Sequence, residues 1–101
     1  MLFRSVRLVS ILKSPITGRV EVRHRGRWGT ICGVSFGLKD ADVVCNELGH
    51  DGALMSMSAG AFGPGTGPIW LYDVKCVGNE TSIKQCKHSG WEPFWDPRIY
   101  W

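Results

Sequence analysis

A small, disulfide-containing α+β domain is the fold class this sequence predicts, on three observations. Residues 18 to 32 alternate apolar and polar around an Arg-Gly turn, the pattern of a β-hairpin. Residues 38 to 48 switch to a helical period. Four cysteines stand in a chain of 101 residues, a size at which a hydrophobic core is marginal without staples. That length holds one domain. Thirteen glycines and five prolines imply many turns, and five tryptophans with four phenylalanines imply an aromatic-rich core.

Along the chain, Val6-Arg7-Leu8-Val9 alternates apolar and basic and reads as a short strand. Gly18 to His24 alternates again, with Val20 and Val22 facing inward and Arg19, Glu21 and Arg23 outward. Arg25-Gly26 is the turn, because glycine accepts the positive φ of a tight hairpin. Arg27 to Cys32 is the returning strand. Ala41, Val44, Cys45 and Leu48 then fall on one face of a helix, which points Cys45 into the core. Lys39, Asp42, Asn46 and Glu47 take the wet side. Asp40 suits the helix start, and Gly49 the stop. The stretch AGAFGPGTGP, residues 59 to 68, is an irregular loop. Residues 69 to 76 form a strand ending in a cysteine. Residues 81 to 85 form one helical turn capped by Thr81 or Ser82. Trp28, Trp70 and Trp91 are expected in the core, Trp95 and Trp101 at the surface.

The net charge of +3 is a mild excess, too small by itself to indicate a nucleic-acid binder. Clustered, it favours acidic surfaces. Cysteine content and the sequon Asn79-Glu80-Thr81 fit a secreted, oxidised protein, with Asn79 as a glycosylation candidate. Arg4, Arg7 and Lys13 interrupt any signal-peptide core at the N-terminus, and no apolar run approaches the roughly 20 residues of a membrane span. The expectation is an extracellular domain of a longer precursor, with no membrane insertion by this chain.

Several motifs in order, VRLV, GRVEVRHRGRWGTIC, LKDADVVCNELG and FGPGTGPIWLYDVKCVGNETSIKQCKHSGW, resemble the scavenger receptor cysteine-rich domain. The resemblance covers residues 6 to 91 and leaves 1 to 5 and 92 to 101 unmatched. It implies an extracellular α+β module with antiparallel strands curled around one main helix, about residues 39 to 48. It also implies a module that binds rather than catalyses. The six-cysteine group is the nearer one. By analogy Cys76 bonds Cys86. Cys32 and Cys45 would bond two tail cysteines that EPFWDPRIYW lacks, so both are orphans and the C-terminal strand is incomplete. A weakened, aggregation-prone fold is then expected. An orphan cysteine is also a candidate for an intermolecular disulfide.

Four candidate sites follow. Arg19, Arg23, Arg25 and Arg27 cluster with His24, and guanidinium groups bind sulfate, phosphate and carboxylate through paired donors. The plain alternative is a solvated strand face partly neutralised by Glu21. A divalent site implied by the resemblance needs two acids after Cys32, where Gly33 and Val34 stand, so it should be lost. A second such site would use Asp73, Asn79 and Glu80 for weak Ca²⁺ binding, against the stronger reading of an ordinary surface turn. No other cofactor is expected. The spacing shows no close CxxC or HxxxH pair for zinc. Nothing resembles a nucleophile elbow, a carboxylate pair or a P-loop. A reactive Cys32 thiolate is a weaker reading than a structural cysteine.

The leading function is an extracellular recognition module whose basic hairpin binds polyanionic partners, such as bacterial polymers or sulfated glycans, or protein ligands. No nucleic-acid partner is expected. The alternatives are a non-catalytic accessory domain of a larger extracellular protease or oxidase, and a truncated non-functional product.

Overall fold

The computed structural model describes residues 5–10, 16–32, 36–56, 65 and 67–89. The chain orders β1 (Val6–Val9), β2 (Arg19–His24), β3 (Arg27–Ile31), α1 (Leu38–Glu47), β4 (Ile69–Leu71) and a 3-10 turn, Ile83–Gln85. One four-stranded sheet runs β1-β2-β3-β4. The first three strands are antiparallel, and β4 joins β3 in parallel.

The hairpin of β2 and β3 closes through Arg25 and Gly26, with φ of 53° and 74°. Two successive positive φ values give the turn a twist that matches the strands it joins. The register sets two faces. Val6 opposes Val22 and Leu8 opposes Val20 on the core side. Arg7 opposes Glu21, and Arg23 opposes Trp28, on the other. The inward valines and outward charged residues of β2 thus fall as their alternation indicates.

The core joins that inner face to α1 and the chain beyond it. Val22, Val43, Leu71, Val74 and Ile83 are each 0% exposed, with Val6 and Val44 beside them. Here the helix departs from expectation. Val43 fills the core, while Cys45 is only half-buried. The buried face is therefore rotated toward Asp40, Ala41, Val43 and Val44. Two acids expected in water are partly buried and tie down backbone. Asp42 Oδ1 accepts from the Ala53 N–H at 2.7 Å, and Glu47 Oε1 from the Ile83 N–H at 2.9 Å. Asp40 does two jobs. One oxygen accepts from the Gly37 N–H and closes the helix start, and the other accepts from the Cys76 N–H.

The strand expected over residues 69 to 76 stops at Leu71. Asp73 adopts φ 58°, which breaks the extended run before Lys75. Ser82 is the cap of the 3-10 turn, its Oγ accepting from the Lys84 N–H at 3.3 Å. Cys76 and Cys86 are disulfide-bonded, whereas Cys32 and Cys45 are outside any disulfide. Trp70 is buried and Trp28 half-buried. Gly33, Val34, Trp91, Trp95, Trp101 and the rest of the tail lie outside the described residues.

Candidate ligand-binding face

The outer face of the sheet is built around Glu21. Its side chain is 7% exposed and is gripped from two strands. Arg7 donates from Nε and a terminal nitrogen to Oε1, at 2.9 and 2.7 Å. Arg19 does the same to Oε2, at 3.1 and 3.0 Å. The Arg7 guanidinium also lies 4.1 Å from the centroid of the Trp28 ring, a cation–π contact. Gly65 and Gly67, just before β4, pack on this face. A Cβ at Gly65 would collide with the Thr30 methyl, and one at Gly67 with the Trp28 carbonyl. Glycine is needed there because backbone packs directly on the sheet.

This divides the arginine cluster. Arg19 is largely committed to Glu21 and its side chain is 16% exposed. Arg23, Arg25 and Arg27 are exposed at or beside the hairpin turn, outside any ion pair among the described residues. By register Arg23 shares the outer face with Glu21, and that acid is already taken by Arg7 and Arg19. His24 faces inward and meets the Trp70 ring edge-on, 5.0 Å between centroids. Burial, then the charges of Arg25 and Lys84, push its pKa below the ordinary value of 6.5. Trp70 is fixed from below, its Nε1 donating to the Arg27 carbonyl at 2.9 Å. The turn that displays the arginines is thus anchored to β4. Arg7 was not singled out by sequence reasoning. It is a partner of Glu21 only through the β1–β2 register, which no local pattern prints.

Two of the suggested cation ligands, Glu80 and Asp73, are engaged elsewhere. Glu80 accepts from the Val77 and Gly78 N–H groups, one to each oxygen, both at 2.9 Å. These bonds hold its carboxyl below the usual range. Asp73 lies 4.0 Å from Lys75 Nζ. The ligand atoms of Cys76, Glu80 and Cys86 lie within 4.8 Å of one another, but the two sulfurs are joined to each other. The Cys45 thiol is pushed up by burial and by Asp42, so it is less nucleophilic than an ordinary thiol at neutral pH. Asn79 is exposed, on the turn that Glu80 closes.

A four-stranded sheet with one helix, a disulfide loop and a charged outer face defines a small disulfide-containing α+β module. The scavenger receptor cysteine-rich domain model matches residues 12–95, and the chain belongs to that family. Bovine (Bos taurus) lysyl oxidase homolog 4 is 48% identical over 85% of this chain and 11% of its own length. Rat (Rattus norvegicus) galectin-3-binding protein is 53% identical over 73% of the chain and 13% of its own. The third such domain of murine neurotrypsin superposes with a TM-score of 0.74 at 42% identity, covering 80% of this chain and 75% of that one. The dimeric form of the domain from mouse MARCO gives 0.67 at 39%, covering 73% and 70%. The chain spans about an eighth of the length of these curated relatives.

Proposed function

We propose that this domain is an extracellular, non-catalytic recognition module that binds polyanions, or acidic surfaces of protein ligands, through the hairpin turn. One observation carries the reading. Arg23, Arg25 and Arg27 are exposed around a single anchored turn, while Glu21, the acid on the Arg23 face, is held by Arg7 and Arg19. Forked guanidinium donors on a rigid turn suit sulfate, phosphate or carboxylate groups repeated along a polymer.

Heparin is the probe. The variant Arg23→Gln with Arg25→Asn removes two charges and leaves the fold intact, because asparagine tolerates the φ of 53° at residue 25. Binding should weaken roughly tenfold and depend less steeply on salt. Unchanged binding would show that the turn is not the site. The share of 11% and 13% that the chain covers in its relatives also favours a second reading, an accessory domain within a larger protein. Fusion to the parent's neighbouring domains, with the arginine variant compared, distinguishes a recognition role from mere spacing.

A further inference from the structure

Lys75 and Lys87 oppose each other across an isolated antiparallel bridge, the Lys75 N–H donating to the Lys87 carbonyl at 2.8 Å. Residues directly opposed in this way project to the same side, and like charges so placed repel. Both lysines are exposed. The repulsion is tolerated because the next residue on each segment is half of the Cys76–Cys86 disulfide. The nearby acids do little to offset it. Asp73 approaches Lys75 at 4.0 Å, with side chains 47% and 69% exposed, a pair of small worth in water. Glu80, Asp40 and Glu47 are turned to backbone N–H groups.

We propose that the Lys75–Lys87 pair is a second anion subsite, and that a linear sulfated polysaccharide fills it together with the hairpin arginines. Lys84 sits on the 3-10 turn just before Cys86, and its charge acts on His24 alongside that of Arg25. The ligand is a polyanion without bases to stack. Among the described residues no aromatic side chain is exposed, Trp28 carries the Arg7 guanidinium, and Trp70 is buried. Two separated subsites on one domain select for chain length, since the second contact of a long ligand is intramolecular. The inference rests on the proposed function of the hairpin.

The test is calorimetric titration of the wild type, Lys75→Gln/Lys87→Gln and Arg23→Gln/Arg25→Asn with a heparin tetrasaccharide and with full-length heparin. The lysine variant should lose roughly tenfold in affinity for the long chain, with a salt slope about two units shallower. It should bind the tetrasaccharide within about twofold of wild type. It should melt no lower than wild type, because a repulsive pair has gone. Long-chain binding unchanged in the lysine variant would overturn the second subsite and leave the hairpin reading standing. Long-chain binding unchanged in the arginine variant would overturn the hairpin reading. The lysine pair would then survive only if its own variant abolished the binding that remained. Tighter binding of a single-stranded DNA of equal charge would overturn the choice of polysaccharide.

Discussion

Glu21 is 5% exposed, yet it is a charge, and its burial is tolerable only because four N–H donors meet its two oxygens. Glu21→Gln keeps the shape and removes the charge, leaving Arg7 and Arg19 side by side. Because Arg7 remains about half exposed, the cost falls below that of breaking a fully buried pair, to about 2–3 kcal/mol. A urea titration should show a lower midpoint with an unchanged slope. An unshifted midpoint would mean the network contributes nothing net. His24 makes a pH-dependent contribution of definite sign. Its folded pKa lies below 6.5, so the unfolded chain takes up a proton first and stability falls as pH drops below that value. Glu80 has the opposite chemistry and the same direction. Its depressed pKa contributes stability above 4.5 that is lost only on stronger acidification. Urea midpoints at pH 7.5 and 5.5 therefore isolate the histidine. Wild type should lose more stability between them than His24→Gln, and equal losses would remove His24 from the account.

Elements formed by neighbours in sequence were legible, and those formed across the chain were not. The hairpin followed from alternation and from Arg25-Gly26, and the helix from its period and Gly49. The exact helix face was misjudged by Cys45, because Val43 is drawn in by the core beneath it rather than by any pattern of its own. The end of β4 at Leu71 depends on the backbone of Asp73, and its parallel pairing on β3 spans the whole helix and loop between them. The disulfide element offers a test of how local strain is shared. Replacing Cys76 and Cys86 by alanine removes a link of sequence separation 10, worth about 3 kcal/mol in the chain-entropy model. The lysines beside it then oppose each other without a tether. Lys75→Gln/Lys87→Gln should stabilise the alanine variant more than the wild type, by a few tenths of a kcal/mol or more. A strictly additive double-mutant cycle would show that the disulfide does not hold the two charges together.

At the scale of the whole molecule, opposite charges are used differently. Glu21, Asp40, Asp42, Glu47 and Glu80 each hold a backbone N–H or a guanidinium in place. Arg23, Arg25, Arg27, Lys75 and Lys87 stand exposed. A net charge of +3 read from composition understates this separation, and only the fold reveals it. The arginines of the turn could be read from their spacing. The division between Arg19 and its neighbours, and the lysine pair, required strand register. Among the described residues one disulfide joins the chain, and a domain of this size draws limited stability from its core alone. A ligand that binds only the folded state should therefore leave a large mark on melting. Heparin at a hundred times its dissociation constant adds about 2.7 kcal/mol by mass action. For a domain of about 100 residues that is a rise in Tm on the order of 10 °C. The rise should shrink in the arginine variant and vanish near 1 M salt, where the screening length falls to about 3 Å. A salt-insensitive rise would mean that heparin is held by something other than these charges. No rise at saturating heparin would mean that the folded surface does not bind it at all.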